Sequence, residues 1–408
     1  MQIFSDLHIH SKYSRGCSKD INLENLAEAA KIKGIQLLGT GDFTHPFWFS
    51  NLKEKLIEIK TGSGFFILPS NPNVFFIISS EINFVFTKNQ QSKRIHFLVL
   101  TKNFETATEI NKFLSYYGNL ESDGRPTVSL NPKIFLKEAL RIDPDFILIP
   151  AHIWTPWFGI LGSFSGFNNL EECFEEMTND ILAIETGLSS DPPMNWNVSF
   201  LDNVSIVSFS DAHSASPYRI GREATVFDLE SLTFSSLKDA LKNQKIVFTI
   251  EFFPEEGKYH YDGHRICKVY FHPSETKKLN NICPVCQKKL TIGVLNRVLT
   301  LTDKKENLIK RPPYIHLVPL LEIISLVLKI SINSKKTQEI YSQLIANFSN
   351  EYSVLIDAPI SEIEKIVPKN IAQAIEKVRK REIKITPGFD GEYGKIEIEI
   401  DEKQGKLF

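Results

Sequence analysis

Histidine and carboxylate side chains recur at the ends of apolar runs in the first 215 residues of the chain. His8 and His10 close the first run, in the stretch SDLHIHSKYS, and residues two apart in an extended strand face the same side. The other members of the set close or adjoin later runs and are Asp42, His45, Glu81, His96, His152, Asp211 and His213. Singly, each histidine could be a hydrogen-bonded core residue and each aspartate a helix cap. Burying so many titratable groups without partners is costly, so the set predicts one shared site.

The residue types in this set indicate metal chemistry. Imidazole and carboxylate without thiolate suit Zn²⁺, Mn²⁺ or Fe²⁺, and nitrogen ligands make Mg²⁺ less favourable. The nine residues exceed the needs of one tetrahedral ion, so we expect two or three metal ions. Such clusters hold ions about 3.5–4 Å apart and stabilise the attacking and leaving oxygens of a phosphoryl displacement. Metal-assisted phosphoester hydrolysis is therefore the leading prediction, with catalytic roles for His8, His10, Asp211 and His213.

The elements that must position these residues alternate through residues 1–255. Apolar, β-rich runs such as VFFIISSE and VSIVSFSDAH are separated by segments with helical spacing, for example residues 23–32 and 132–140. Continuous apolar strands that alternate with helices predict a parallel sheet buried on both faces. About seven such strand–helix units in roughly 250 residues favour a (β/α) barrel over an open sheet. A barrel would deliver the carboxyl ends of its strands to one rim, so the fold class expected is α/β.

A short polar segment, residues 256–300, predicts a zinc-binding module. Cys283 and Cys286 have the two-residue gap of a metal-binding knuckle, and His264 and Cys267 repeat that gap upstream. These four residues would form a closed tetrahedral Zn²⁺ site of the structural type, with His260 as the alternative to His264. A redox pair is the other interpretation of Cys-x-x-Cys, but no thioredoxin-like pattern surrounds it. A segment this small buries little apolar surface, so metal binding would contribute directly to its folding.

Residues 301–408 are expected to be mainly helical with a terminal strand. A helix should start near Pro368, and the tail YGKIEIEI alternates apolar and charged residues as a half-exposed strand does. The basic residues at the end of that helix are Lys377, Arg379, Lys380 and Arg381. They could contact a DNA backbone, although a basic helix end is also explained by a solvated face that favours the helix dipole.

The composition excludes several classes of protein. The net charge of −2 gives no overall electrostatic signature of nucleic acid binding and leaves only a local basic surface for it. The sequence has no run of 18 or more apolar residues and no signal segment, so no membrane association is expected. Five cysteines, odd in number and unevenly placed, argue against a disulfide framework and for a reducing, cytoplasmic compartment.

Six motifs in the first 215 residues resemble those of the PHP (polymerase and histidinol phosphatase) family. In order they are DLHIHSKYS, GTGDFTHP, SSEIN, RIHFLVL, PAHIW and SDAH. The resemblance implies a distorted barrel with a two- or three-metal phosphoesterase centre, and the family's ligands match His8, His10, Glu81, His96, His152, Asp211 and His213. Many members carry a ligand histidine directly after the aspartate that matches Asp42, where this chain has Phe43 and then His45 two residues later. Residues 15–17 (Arg-Gly-Cys) stand where some members have a histidine or aspartate.

The second half narrows this resemblance. YHYDGHRICKV, CPVCQKKLTIGVLNRV and PGFDGEYGKI resemble the endonuclease Q family, in which a PHP barrel is joined to zinc-binding and helical regions. The resemblance covers nearly the whole chain and implies a DNA repair endonuclease that nicks 5′ to deaminated bases (uracil, hypoxanthine, xanthine) and at abasic sites. It implies damaged double-stranded or single-stranded DNA as partner, a nucleoid-associated location, Zn²⁺ in the cysteine module and the active centre, and Mg²⁺ or Mn²⁺ for activity. The sequence contains no convincing sliding-clamp peptide.

A nuclease that inspects a damaged base must extrude it from the duplex, at a cost of roughly a few kcal/mol. Residues 152–169 are the predicted wall of the base pocket, because they follow a predicted ligand and carry aromatic and amide groups. The substrate-binding residues assigned in this segment are Trp154, Trp157, Phe158 and Asn168. The alternative is an apolar loop packed on the barrel. Arg219 and Arg222 could clamp a phosphate.

The predicted reaction is an in-line attack of activated water on phosphorus, with Asp211 bridging or orienting the metal ions. It leaves a 3′ hydroxyl and a 5′ phosphate. Two other functions fit parts of the sequence. A PHP phosphatase acting on a small phosphomonoester would use the same centre but leaves residues 256–408 without a role. A DNA-binding or scaffold protein with a decayed centre is disfavoured by the complete ligand set.

Overall fold

The computed structural model describes residues 1–304 and 310–400. The strands are β1 (Gln2–Asp6), β2 (Leu37–Gly39), β3 (Ile57–Glu58), β4 (Phe66–Leu68), β5 (Asn71–Lys88), β6 (Gln91–Thr101), β7 (Thr127–Val128), β8 (Ile147–Pro150), β9 (Ala183–Glu185), β10 (Ser205–Val207), β11 (Ala224–Asp228), β12 (Ile246–Glu251), β13 (Asp262–His264), β14 (Val269–Phe271), β15 (Tyr314–His316), β16 (Lys384–Thr386) and β17 (Lys395–Glu397). The helices are α1 (Leu23–Lys33), α2 (Pro46–Lys55), α3 (Phe104–Leu114), α4 (Pro132–Ile142), α5 (Glu171–Phe174), α6 (Pro192–Trp196), α7 (Phe234–Lys242), α8 (Pro273–Lys278), α9 (Val294–Leu301), α10 (Leu320–Leu328), α11 (Lys335–Phe348), α12 (Ile360–Ile363) and α13 (Lys369–Arg379).

Eleven of these strands form one mixed sheet. β1 pairs in parallel with β2, and β2 with β5, whereas β11 runs antiparallel to both β1 and β12. β6 is antiparallel to β5 and to β8, and β9 and β10 form a separate parallel pair. The expectation of a purely parallel sheet is therefore wrong. The long β5–β6 hairpin is one reason, because its two turn residues, Asn89 and Gln90, both have positive φ and allow a tight antiparallel return.

Helix α1 shows how local sequence fixes the ends of an element. The Asn22 side chain accepts a hydrogen bond from the Asn25 N–H at 2.8 Å and caps the helix. Gly34 ends it at φ +102°, a conformation that glycine adopts without strain. Leu23 and Leu26 are buried on the inner face and pack into the core. The helix is thus held at both ends and along one side.

The second half of the chain forms two smaller groups of elements. β13 and β14 pair antiparallel ahead of α8 and α9, in the segment predicted to bind zinc. In the C-terminal region α10 packs on α11 and α13, and β16 pairs antiparallel with β17. Residues 305–309 and 401–408 of the predicted C-terminal region lie outside the described residues. No helix in the described ranges has the length and apolarity needed to span a bilayer.

Candidate metal centre and zinc site

Four predicted ligands meet beyond the ends of β1 and β10 and within β5. One ligand atom from each of His8, His10, Glu81 and Asp211 lies within 4.8 Å of the others. His10 Nε2 is 2.9 Å from Asp211 Oδ1 and 3.2 Å from Glu81 Oε2. His8 Nε2 is buried without a hydrogen-bond partner, 3.6 Å from Glu81 Oε2 and 3.7 Å from Asp211 Oδ1. A buried, unpartnered nitrogen that faces two carboxylates fits a divalent cation between them.

A second group shares Glu81 with the first. It consists of Glu81, His96 and His152, whose ligand atoms also lie within 4.8 Å of one another. His96 Nδ1 is 2.6 Å and His152 Nε2 is 3.0 Å from Glu81 Oε1. The other oxygen, Oε2, faces the first group. Glu81 can therefore bridge two metal ions.

The charges of this centre are strongly coupled. Burial would raise the pKa of Glu81, but the facing histidines and Arg125 hold it well below its usual range. Burial would lower the pKa of His8 and of His10, but the carboxylates raise both well above the usual value. Burial lowers the pKa of His96 to about 4, which leaves that ring neutral at pH 7. A divalent cation can displace the imidazole protons and compensate the carboxylates in their place.

Two carboxylates orient the histidines of the first group from behind. Asp42 Oδ1 lies 3.0 Å from His10 Nδ1, and Asp42 Oδ2 accepts a hydrogen bond from the Ser11 N–H at 2.6 Å. Glu185 Oε1 lies 2.8 Å from His8 Nδ1. Contacts of this kind fix the tautomer and orientation of a ligating imidazole. The structure places Asp42 in neither ligand group, so this orienting position replaces its predicted ligand role.

Glu185 was not predicted from the sequence. It ends β9, is fully buried, and its Oε2 also accepts the His152 N–H at 2.8 Å. The sequence does contain a signal for it, because the run ILAIET ends near an acidic residue as VFFIISSE does. Arg125, whose Nη1 is 3.0 Å from Glu81 Oε2, has no such signal, since it lies in the polar stretch ESDGRPTVS.

His45 and His213 lie outside both groups. The His45 ring stacks on Tyr13 with 4.1 Å between ring centroids, so its predicted ligand role is not met by this geometry. His213 is closer, with its ring centroid 4.7 Å from that of His10 and its Nδ1 2.8 Å from the Asp211 carbonyl oxygen. Donation from Nδ1 to this carbonyl leaves Nε2 unprotonated in the neutral ring. His213 is therefore placed to bind an ion or a proton at the edge of the centre.

Three predicted site residues have left-handed backbone conformations. Asp42, His152 and Asp211 have φ values of +46°, +32° and +48°. These are uncommon for residues other than glycine and cost roughly 1–3 kcal/mol each. Gly41 also has a positive φ, and a Cβ there would lie 2.5 Å from the Ile9 carbonyl oxygen. Sharp turns just past the strands thus aim side chains into the centre.

The predicted zinc ligands also meet. One ligand atom from each of His264, Cys267, Cys283 and Cys286 lies within 4.8 Å of the others, and Cys286 Sγ is 3.5 Å from His264 Nδ1. Three sulfurs and one imidazole fit a closed tetrahedral Zn²⁺ site. His260, the alternative ligand, lies outside this group.

The predicted pocket segment divides into buried and exposed aromatic residues. Trp154 is fully buried and donates its Nε1–H to Asn195 Oδ1 at 2.7 Å, so it belongs to the core rather than to a pocket wall. Trp157 and Phe158 are 38% and 36% exposed. The Phe158 ring stacks on His96 with 4.4 Å between centroids. Exposed aromatic surface therefore begins directly at the second ligand group.

The remaining predicted contacts to substrate are partly engaged within the protein. Asn168 Oδ1 accepts a hydrogen bond from Arg297 Nη2 at 3.0 Å. The Arg219 guanidinium lies 4.8 Å from the centroid of the Tyr218 ring. Arg222 has a buried Nε without a hydrogen-bond partner, which leaves a donor for an anionic group or water.

The basic end of α13 is engaged locally. Arg379 Nη2 donates to the Ala358 carbonyl at 2.7 Å, and Lys380 Nζ lies 2.6 Å from Glu376 Oε1. The Arg381 guanidinium lies 4.8 Å from the centroid of the tyrosine ring that begins β15. These contacts hold the helix end in place, so they favour the structural explanation for most of this basic cluster.

The chain has relatives over part and over all of its length. Residues 319–382 match the family described as the MJ0043 C-terminal domain. The chain is 37% identical over 249 residues to protein MJ0043 of Methanocaldococcus jannaschii, a match that covers 60% of this chain and only 31% of MJ0043. It is 29% identical over 416 residues to YqxK of Bacillus subtilis, with 97% of this chain and 99% of YqxK covered.

Similarity to solved structures extends over the full length. The crystal structure of the lesion-specific endonuclease PfuEndoQ from Pyrococcus furiosus matches with a TM-score of 0.88 at 32% sequence identity, covering 100% of this chain and 98% of that one. The chain belongs to the endonuclease Q family of the PHP superfamily. An endonuclease Q complex with a 27-mer duplex that carries an abasic lesion at the active site matches with a TM-score of 0.87 at 32% identity, covering 98% and 97%.

Membership of the endonuclease Q family, predicted from the motifs, is thereby confirmed. The match includes the cysteine module and the C-terminal helices as well as the sheet, because the PfuEndoQ comparison covers the whole chain. The two ligand groups and the zinc-type group therefore belong to one endonuclease Q chain.

Proposed function

We propose that this member of the endonuclease Q family is a metal-dependent DNA repair endonuclease. The observation that carries the proposal is the position of Glu81, whose two oxygens face separate ligand groups. Two ions on either side of one carboxylate suit phosphodiester hydrolysis. Full-length similarity to a lesion-specific endonuclease, and to an endonuclease Q bound to a duplex with an abasic lesion, supports damaged DNA as the substrate.

The residues present fit two metal ions. His8, His10 and Asp211 would hold one ion, His96 and His152 the other, and Glu81 would contact both. When bound, the ions would supply Lewis-acid activation of water and neutralisation of phosphate charge. The imidazole-rich set favours Zn²⁺ or Mn²⁺, and Mg²⁺ is the further candidate for activity.

Other side chains of the chain would support the reaction. Arg125 holds a fixed positive charge beside Glu81 that can face a phosphate. His213 Nε2, which is unprotonated in the neutral ring, can accept a proton from the attacking water. The products would be a 3′ hydroxyl and a 5′ phosphate on the lesion strand, with cleavage 5′ to the lesion.

Damaged bases would be selected by the ease of extrusion. A deaminated base pairs poorly and an abasic site has no base to unstack, so the cost of extrusion is lower at both. Uracil, hypoxanthine, xanthine and abasic sites are therefore the proposed lesions. Phe158 offers a stacking surface beside His96, and the exposed Trp157, which stacks on Phe164, offers a second one next to it in the chain. Stacking on an aromatic side chain is worth about 1–3 kcal/mol per base.

We also infer that the main sheet and the β9–β10 pair together make a distorted barrel. β8 lies beside β9. Beyond β10, the Ser208 N–H donates to Thr225 Oγ1 at 2.9 Å, and Ala212 bridges Ile9. The short pair therefore spans the interval between β8 and the β1–β11 side of the sheet. The proposed regions are the barrel (1–255), the zinc module (256–300) and the helical C-terminal region (301–408).

A nicking assay tests the function. Full-length protein would be incubated with end-labelled duplexes that contain uracil, hypoxanthine, xanthine or an abasic site, with an undamaged duplex of the same sequence as control. We expect a nick 5′ to the lesion in Mn²⁺ or Mg²⁺ and none with chelator. Analysis of the terminal groups at the nick should show a 3′ hydroxyl and a 5′ phosphate.

Two results would contradict the proposal. Release of phosphate from a small phosphomonoester, with every lesion duplex intact, would identify a phosphatase instead. Binding to the lesion duplexes without cleavage, in protein that holds only one zinc per chain, would identify a non-catalytic DNA-binding protein.

A further inference from the structure

One loop carries four of the groups assigned to the site. This 211–222 loop contains Asp211, His213, Arg219 and Arg222. Asp6, fully buried at the end of β1, ties its two ends together. Its Oδ1 accepts the Ser210 N–H at 2.9 Å, and its Oδ2 accepts the Gly221 N–H at 2.8 Å. The loop is thus closed at its base.

The middle of the 211–222 loop is anchored through a buried ion pair. Lys33, at the end of α1 and only 1% exposed, donates from Nζ to the Pro217 carbonyl at 3.0 Å. The same Nζ lies 2.7 Å from Oε1 of Glu351, which is fully buried between α11 and α12. Glu351 also accepts the Leu320 N–H at 3.0 Å and the Tyr341 hydroxyl at 2.7 Å. Removal of either member of this ion pair would leave the other charge buried without compensation, which is costly.

Two tyrosines make further contacts between the loop and the C-terminal helices. The Tyr352 hydroxyl donates to the Gly221 carbonyl, and the Tyr218 hydroxyl lies 3.3 Å from Glu322 Oε2 on α10. Gly221 has φ +64°, and a Cβ there would lie 2.7 Å from the Tyr352 hydroxyl oxygen. The loop and the helices therefore meet without intervening space.

The 211–222 loop needs such anchors because it lacks regular structure of its own. It joins β10 to β11 and contains no helix or strand among its residues, all of which are described. Its first residue, Asp211, has a positive φ that must be held by its surroundings. A small displacement of this loop would move Asp211 and His213 relative to His8 and His10.

We propose that the C-terminal helices, residues 320–379, position the metal centre by holding the 211–222 loop. Tyr352 and Glu351 are the positioning residues, the first directly and the second through Lys33. The proposal rests on the proposed function in one respect, since Asp211 must help to hold an ion. It gives these helices a task other than DNA contact, in agreement with the local engagement of the basic end of α13.

A pair of matched variants tests the proposal. Tyr352→Phe deletes a buried hydroxyl that donates to the loop, and Thr337→Val deletes a buried hydroxyl that donates to the Ser331 carbonyl within the helical region. We would measure Mn²⁺ binding by calorimetry, kcat and KM for nicking an abasic duplex, and the melting temperature of the full chain. A positioning role predicts that Tyr352→Phe weakens Mn²⁺ binding and lowers kcat by about 3- to 30-fold, with KM little changed.

The control should separate positioning from stability. Thr337→Val is expected to lower the melting temperature by a similar amount while Mn²⁺ binding and kcat stay at the wild-type values. The proposal is overturned if the two variants bind Mn²⁺ and turn over equally. If Tyr352→Phe does not fold, Tyr218→Phe takes its place, because it removes the contact with Glu322 from the loop side. The same comparison with Thr337→Val then supports or overturns the proposal. Failure of the wild-type protein to bind Mn²⁺ or to nick would instead count against the proposed function.

Discussion

Glu81 is the residue on which both ligand groups depend. Its carboxylate is fully buried, which would be unfavourable for an isolated charge. Histidines on both sides and the Arg125 guanidinium compensate that charge. The same arrangement leaves one oxygen for each proposed ion. A single buried acid would therefore set the spacing of the proposed ions and contributes a central negative charge to the site.

Asp211→Asn should abolish most of the activity. The change removes one anionic ligand, and since loss of groups that merely support a ligand costs about 10–100-fold, loss of the ligand itself should lower nicking of an abasic duplex by at least about 100-fold. Binding of the duplex in chelator, followed by fluorescence anisotropy, should be unchanged. The matched control is Asp180→Asn, at an exposed position. Full nicking by Asp211→Asn would show that the assignment is wrong.

Glu185→Gln tests a residue that holds a ligand in place. The amide keeps the shape of the side chain but loses the charge that faces His8 Nδ1 at 2.8 Å. We expect Mn²⁺ affinity and kcat to fall by about 10–100-fold, measured by calorimetry and by the nicking assay. Glu138→Gln, the same change at a surface pair with Arg141, should have no effect. Wild-type Mn²⁺ affinity in Glu185→Gln would exclude this role.

At the scale of elements, the two halves of the centre are positioned differently. Glu81 on β5 and His96 on β6 lie on paired strands whose register runs continuously from Ile78 opposite Thr101 to Lys88 opposite Gln91. Their separation is therefore set by the sheet. Asp211 and His152 stand instead on sharp turns past their strands. The sheet thus provides a rigid half, and the loops provide a half that needs support from neighbouring elements.

The zinc module should depend on its metal for folding. Cys283→Ser removes one of four ligands of a closed site, and in such sites metal binding contributes folding free energy directly. We expect the protein to lose one zinc per chain, measured by elemental analysis against wild type, and the segment 256–300 to become sensitive to limited proteolysis. Val285→Ser, at a 65% exposed position in the same turn, should retain the metal. Full zinc content in Cys283→Ser would contradict the assignment.

At the scale of the whole molecule, two buried acids lie at the end of β12 and in the turn that follows it. Glu256 lies in the turn after β12 and faces Glu322 of α10, and burial raises its pKa to about 9. Burial likewise raises the pKa of Glu251 to about 8. Both side chains have a buried oxygen without a hydrogen-bond partner. This part of the structure is therefore most stable when these acids are protonated.

The contribution of these two acids to the stability should consequently fall as the pH rises. In the unfolded chain a glutamate titrates near about 4.3, so below that pH the proton is bound in both states. Between that value and the folded value of about 9 for Glu256, the folded state binds more protons, and stability is lost at about 1.4 kcal/mol per pH unit for each such group. Glu256→Gln should reduce this slope. Relative to wild type, the variant should therefore gain more free energy of unfolding at pH 8.5 than at pH 6.

Urea unfolding at several pH values checks this expectation. Glu392→Gln, at an exposed position, serves as the matched control and should keep the wild-type slope. An unchanged slope in Glu256→Gln would mean that this carboxyl is solvated or paired in the folded protein.

The sequence by itself determined the ligand types and their local spacing. His8 and His10 face one side because alternation along an extended strand is a local property. The two-residue gaps of the cysteine module are likewise local and need no knowledge of the fold. Five predicted metal ligands meet around Glu81, itself a predicted ligand, and the four predicted zinc ligands also meet. The motifs were also sufficient to predict the family.

Only the tertiary structure decided which residues in and near these motifs contact the ligand groups. Asp42 hydrogen-bonds to His10 and the His45 ring stacks on Tyr13, although both residues belong to the second motif. Glu185 also ends an apolar run, but only the folded chain shows that it faces His8. The physical reason is that past a strand end the direction of a side chain depends on loop dihedrals and on contacts between distant elements. The ion pair of Lys33 with Glu351, 318 residues apart in sequence, is such a contact, and no local pattern can predict it.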